Sequence, residues 1–315
     1  MYYPTFGKLL EGRAKSEEIE LVWQHVSPPD KIFRQVIETA PYDLAEMSLS
    51  TYTMLRDKGW DGYIGLPIFP SKRFRHSAFF VRTESDIVGA EQLAGKRVGL
   101  PEYGLTAAVW LRGILEDDFG VRPEQIQWFT GGAEQPGRVE RVPLAAEIAA
   151  RVQTIEPDET LFGMLLDRRL DAVICVYTPQ LLRGNKPPIR HLFVNYKEVE
   201  KEYYSRRGIF PIMHTLVLRR GIAADDKDVA GRISRLLQNL RDDFYSKLAI
   251  VRRNSVFPWI EEYIDELTET FGEDPWAHGI GKNGRALGKF LDYSHSQGLI
   301  ERKPQVKELF IDLDE

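Results

Sequence analysis

The chain of 315 residues carries 47 acidic and 42 basic side chains, and its formal charge of −5 is spread along the sequence with no long basic run, which excludes a nucleic-acid protein held by phosphate neutralisation. Apolar residues make up 43%, ordinary globular usage, and no stretch approaches the roughly 18 apolar residues of a membrane span. The start, Met1-Tyr2-Tyr3-Pro4-Thr5-Phe6, has neither a basic nor an apolar leader region, which predicts a cytoplasmic protein, and the length suits two lobes better than one core.

In chain order, Ile19 to Val26 alternates as a strand. Pro28-Pro29-Asp30 opens a helix whose Ile32, Phe33, Val36 and Ile37 share one face. Asp43 to Met47 reads as a strand, and Ser48 or Ser50 caps a helix through Tyr52, Met54 and Leu55 that Gly59 ends. Ile64 to Phe69 and Ala78 to Val81 are further strands. A second unit opens near Ser85, with the strand Val98-Gly99-Leu100 and the turn Pro101 to Thr106. A helix carrying Trp110, Ile114, Leu115 and Phe119 follows, closed by Gly120, and then the short strand Ile126 to Phe129. Thr130 to Pro143, with three glycines and two prolines, reads as a loop. A helix from Glu159 to Arg169 and a strand from Ala172 to Val176 complete the unit. Cys175, the only cysteine, lies in that strand and reads as a core thiol; no internal disulfide can form. Beyond Pro187-Pro188, Ile212 to Leu218 is a return strand. A helix marked by Val229, Ile233, Leu237, Leu240 and Phe244 follows, then helices near 258–271 and 284–297.

Short apolar runs alternating with helical patterns predict an α/β fold of two lobes. Residues 1–83 and 195–315 form the first lobe, and 84–194 the second. Two crossovers between them make a hinge and leave a cleft, where strand ends and helix starts converge.

Three loops at strand ends carry candidate chemistry. Glu46 to Tyr52 is a hydroxyl-rich helix start; Ser48 and Ser50 are either plain caps or, with the backbone N–H groups, holders of a carboxylate. Gly104-Leu105-Thr106 repeats the device in the other lobe. Pro67 to His76 gathers Lys72, Arg73, Arg75 and His76 beside aromatic rings. This is a solvated basic turn or an acid clamp, since a guanidinium fork matches a carboxylate and an imidazole exchanges protons near neutral pH. His214, heading the return strand, is a core histidine or a proton donor. No HExxH or CxxC pattern supports a metal, and no Walker A loop, dinucleotide fingerprint or GxSxG elbow is present.

Tyr42-Asp43-Leu44-Ala45-Glu46-Met47-Ser48-Leu49-Ser50-Thr51-Tyr52, Leu66-Pro67-Ile68-Phe69-Pro70 through Arg73-Phe74-Arg75-His76-Ser77, Leu105 to Leu115 and Gly208 to His214 together resemble the 4,5-dihydroxyphthalate decarboxylase family. So does the tail with Asp274-Pro275-Trp276, Gly279, His295 to Leu299 and Glu308-Leu309-Phe310. The resemblance spans most of the chain. It implies a type II periplasmic-binding-protein-like fold and non-oxidative loss of carbon dioxide from a dihydroxylated aromatic diacid such as 4,5-dihydroxyphthalate. No electron-sink cofactor is implied, because the phenol supplies electron density. On this reading His76 or His214 donates the proton and Glu46 accepts a phenolic one. Arg73 or Arg75 clamps the retained carboxylate, and Ser48, Ser50, Gly104 and Thr106 hold other oxygens. The partner is then a small anionic aromatic acid, with neither nucleic acid nor membrane; a homo-oligomer stays open. Two departures accompany the likeness. Tyr3-Pro4-Thr5 stands at an Asp-Tyr-Asp-Arg-Thr-like turn of the family, without that turn's acid and arginine; either the start is misplaced, or a preceding central strand and one cleft wall are missing. Ala107-Ala108 stands where another hydroxyl is expected. The competing readings are a solute-binding or ligand-sensing protein that closes on such an acid without chemistry, and a family member with another substrate.

Overall fold

The described strands form a hairpin, a six-stranded sheet and a three-stranded sheet, and the chain leaves the three-stranded sheet for the six-stranded one and returns to it. The structure is a computed structural model that describes residues 4–26, 29–254, 256–272 and 274–313; Tyr3 and Pro28 lie outside them. The first elements are β1 (Arg13–Lys15) and β2 (Glu20–Val22), an antiparallel hairpin, followed by α1 (Pro29–Glu38). β3 (Leu44–Ser48) runs directly into α2 (Leu49–Asp57), and β4 (Tyr63–Lys72) follows.

The chain then crosses into a six-stranded sheet. Its elements in order are β5 (Phe79–Arg82), β6 (Arg97–Leu100), α3 (Thr106–Phe119), β7 (Gln127–Thr130), α4 (Ala146–Ala149), β8 (Val152–Thr154), α5 (Leu161–Leu166), β9 (Ala172–Ile174) and β10 (Ile189–His191). The strand order is β10-β5-β9-β6-β7-β8, parallel from β9 to β8 and antiparallel where β5 meets β9 and β10. The strand expected over 78–81, assigned to the first lobe from sequence, pairs within this larger sheet. Alternation alone names a strand but not its neighbours.

After α6 (Tyr196–Arg207) the chain returns as β11 (Ile212–Arg219), which lies between β3 and β4 and is antiparallel to both. The remaining helices are α7 (Arg220–Asp225), α8 (Val229–Asn254), α9 (Ile260–Phe271), α10 (Ile280–Ser296) and α11 (Val306–Leu309). Among the described residues β3 is an edge strand, and β2 pairs with β1 rather than with it.

Side-chain period two builds the core. Val217 of β11 faces one apolar cluster, while Leu216 and Leu218 face another with Leu66, Ile68, Ile233 and Leu237. The first cluster joins the two sheets, since Met47 and Tyr52 share it with Val98, Ala107 and Trp110. Burying a side chain of this size contributes roughly 1.5–3 kcal/mol. Trp110 is fully buried and its indole N–H donates to Ile212 O at 2.9 Å, which ties α3 to the head of β11. Gly120 closes α3 in the left-handed region (φ 67°), where a Cβ would be strained. Cys175 is buried, and desolvation pushes its thiol up to about 11, as for a core residue. No helix among the described residues is long and apolar enough to cross a membrane.

Candidate active site

Where β3 ends and α2 begins, Ser48 is the N-cap and its hydroxyl faces the Thr51 N–H at 3.5 Å. Thr106, first residue of α3, approaches from the second unit. Its Oγ1 lies 2.8 Å from Ser48 Oγ and accepts from the Ser50 N–H at 3.0 Å. The two hydroxyl-bearing helix starts therefore meet. Ser50 Oγ turns to Met54 Sδ at 3.7 Å. Ala107 and Ala108, where another hydroxyl was expected, are buried in the shared core.

Glu46 and His214 face each other across the β3–β11 ladder. Glu46 is buried, and its Oε1 takes the His214 Nδ1 in a short hydrogen bond. With Nδ1–H donating to the carboxylate, Glu46 fixes the tautomer and the orientation of the imidazole. The Phe33 ring of α1 stands edge-on to the imidazole, 5.2 Å between centroids. The ladder to β4 is irregular on both sides of His214. Pro67 and Pro70 in β4 lack the N–H groups a regular ladder needs, so the strand breaks register beside the imidazole.

The loop from 131 to 145 adds residues that motif reading did not reach. Glu102, 3% exposed, accepts from Arg138 at 2.5 Å and from the Arg141 side chain at 3.0 Å; its second oxygen accepts from the Arg141 N–H at 3.1 Å. Arg141, whose side chain is also 3% exposed, reaches Thr51 Oγ1 at 3.1 Å and covers the Phe33 ring at 5.2 Å. Arg141 thus bridges the Glu102 turn to the Ser48–Thr51 cap and to the ring beside His214. Two guanidinium groups thus converge on the Glu102 carboxylate, and Arg141 carries one of them to the α2 cap.

Gly104 lies in this neighbourhood. The N–H groups of Tyr103 and Gly104 donate to the two oxygens of Glu140, the second at 3.2 Å, so a carboxylate of the chain already sits on these amides. Burial raises the Glu140 carboxyl to about 6, against the lowering effect of those N–H groups. Arg112, fully buried in α3, donates to Tyr103 O at 2.8 Å and stacks on its ring at 3.7 Å, which fixes the turn from behind. Lys58 of α2 donates to Pro143 O at 2.6 Å, so the loop is fastened on both sides of the cleft.

Other sequence candidates lie apart from this group. His76 is buried among Phe193, Tyr203 and Glu200, with Nδ1 3.8 Å from Glu200 Oε1. Arg75 donates to Val176 O at 3.0 Å and contacts Met213 Sδ at 3.3 Å, bracing the residue before His214. Arg73 is exposed. Among the described residues no three His, Cys, Asp or Glu side chains converge as metal ligands.

No family model matches the chain. It is 33% identical over 309 residues to the 4,5-dihydroxyphthalate decarboxylase of Comamonas testosteroni, covering 98% of this chain and 93% of the relative. To the enzyme of that name from Pseudomonas putida it is 34% identical over 202 residues, 64% of this chain and 78% of the relative. Among solved structures it resembles the periplasmic aliphatic sulphonate binding protein SsuA from Escherichia coli, with TM-score 0.50 and 13% identity over 90% of this chain and 83% of that one. Protein AF1704 from Archaeoglobus fulgidus also scores 0.50, with 14% identity over 94% and 93%. The fold is that of type II periplasmic binding proteins.

Proposed function

This chain belongs to the 4,5-dihydroxyphthalate decarboxylase family, and on that premise we propose that the Glu46–His214 pair and Arg141 carry its reaction. The protein is a carboxy-lyase that removes carbon dioxide, without oxidation, from a dihydroxylated aromatic diacid such as 4,5-dihydroxyphthalate. The alternative of a binding protein without chemistry fits these relatives less well.

The hydroxyl para to the leaving carboxylate pushes electron density to the ring carbon that carries it. The His214 imidazolium delivers a proton to that carbon, forming a dienone that keeps the phenolic proton on its oxygen. The bond to the carboxylate then breaks, its electrons restore the aromatic ring, and carbon dioxide leaves; the imidazole regains its proton from solvent. Glu46, through Nδ1, holds the ring orientation and stabilises the charged imidazolium, which makes it a positioning residue rather than the phenol's base. Arg141, which reaches Thr51 of the α2 cap, is the clamp proposed for the retained carboxylate. Ser48 and Thr106 supply further contacts to oxygen, while the Gly104 amide is held by Glu140 and the Ser50 hydroxyl by Met54.

One observation carries the proposal: the Glu46–His214 hydrogen bond beside the meeting of the Ser48 and Thr106 helix starts, with Arg141 on the same cap. Purified protein incubated with 4,5-dihydroxyphthalate should release one carbon dioxide per substrate consumed. A thermal shift with that acid but no carbon dioxide would favour the binding protein instead. The cytoplasmic setting belongs to the same proposal and is checked by cell fractionation.

A further inference from the structure

A second group of charged side chains lies where the start of α10 meets the end of β4. Lys72 is 8% exposed, yet its ammonium meets only neutral acceptors, Asn283 Oδ1 at 2.6 Å and Pro275 O at 3.0 Å. The Asn283 amide is fixed in that sense because its NH₂ donates to Ala277 O at 2.9 Å and Gly279 O at 2.8 Å. Lys72 borders a cavity of about 120 Å³ that Lys282 and Arg285 also line. Both are exposed, and neither has an ion-pair partner among the described residues. Among the described residues the one acid lining the cavity is Asp274, which attracts Lys72 and is shared with Arg241 at 3.2 Å. Lys72 makes no direct ion pair of its own among the described residues, and two more cations at the same opening add positive charge.

We propose that this cavity is a second ligand site, which seats a small oxyanion on Lys72, Lys282 and Arg285. The incoming anion supplies Lys72 with a direct ion pair in place of the Asp274 charge that it shares with Arg241, and the two rim cations close on it from solvent. The rings of Phe210, Phe271 and Tyr204 also line the cavity and pack together, with Phe210 and Phe271 centroids 4.9 Å apart. Such walls suit the flat body of an aromatic carboxylate better than a free inorganic ion. The local field already acts on its neighbours. Burial, then Arg241, lowers Lys72 to about 8 despite the opposing pull of Asp274; burial, then Arg241 and Lys72, lowers His278 to about 4. The inference stands independently of the chemistry assigned to His214.

Calorimetric titration of the whole chain with benzoate and, separately, with inorganic phosphate tests the site. Saturable binding of benzoate is expected, with phosphate weaker. Both Lys72→Met and the surface double variant Lys282→Ser with Arg285→Ser should lose at least tenfold in affinity, which is about 1.4 kcal/mol. Arg141→Ala should retain the binding, separating this cavity from the cleft. Phosphate binding more tightly than benzoate would overturn the aromatic preference. Affinity unchanged in the double variant, which leaves the buried network intact, would overturn the site even if Lys72→Met does not fold.

Discussion

Thr106 Oγ1 stands 2.8 Å from Ser48 Oγ and at the same time accepts the Ser50 N–H, so one hydroxyl from α3 completes the cap of α2. Thr106→Val keeps the volume and removes that oxygen, leaving a buried N–H and hydroxyl without it. The variant should lose about 1–3 kcal/mol of stability in urea unfolding, and KM should rise. A variant as stable as the parent would mean that the two helix starts do not depend on each other.

Arg141→Lys keeps the charge but not the fork that spans Glu102 and Thr51. Steady-state kinetics should show KM raised at least tenfold with a smaller change in kcat, as expected when binding common to ground and transition states is lost. Loss of kcat alone would move Arg141 from clamping the substrate to the chemical step.

Glu140 gives a pH signature. Burial raises its carboxyl from 4.5 to about 6, so between those values the folded chain holds a proton that the unfolded chain has released. Its contribution to stability is complete below the unfolded value and fades as pH rises through about 6. The change is on the order of 1–2 kcal/mol, since one pKa unit is worth about 1.4 and the side chain is partly screened. Urea unfolding from about pH 4 to pH 7 should show this slope in the parent and not in Glu140→Gln. Identical slopes would place the carboxyl in solvent rather than on the Tyr103 and Gly104 amides.

Gly113 marks where α3 packs against α10. A Cβ there would come within 2.4 Å of the Tyr293 ring, which is itself held by a hydrogen bond from its hydroxyl to Asp117 Oδ2 at 2.7 Å. Gly113→Ala should destabilise by about 1–3 kcal/mol in denaturant unfolding, despite the better helix propensity of alanine. A neutral result would show that α10 shifts freely against α3.

The strand-and-helix order was legible because apolar periodicity and caps are local signals, as at Ser48 and Gly120. The helix α6 was not, since its sequence is dominated by charge and only Tyr203 is buried. Glu46, His214, Ser48 and Thr106 were each legible as residues at strand ends and helix starts. Their grouping was not, because it depends on which strand lies beside which. His76 has the same side chain as His214, yet its ring is enclosed by Phe193 and Tyr203. Arg138, Glu140 and Arg141 were hidden in a loop without period. The signal available was four charges, Glu134, Arg138, Glu140 and Arg141, inside a stretch rich in glycine and proline.

The most direct measurement is the rate of carbon dioxide release from 4,5-dihydroxyphthalate by the parent, His214→Asn and His76→Asn. A general acid contributes about 10²–10⁴-fold. His214→Asn should therefore lose at least tenfold in kcat with little change in KM, while folded His76→Asn stays close to the parent. Turnover by His214→Asn equal to the parent's, or its loss only in His76→Asn, would contradict the account.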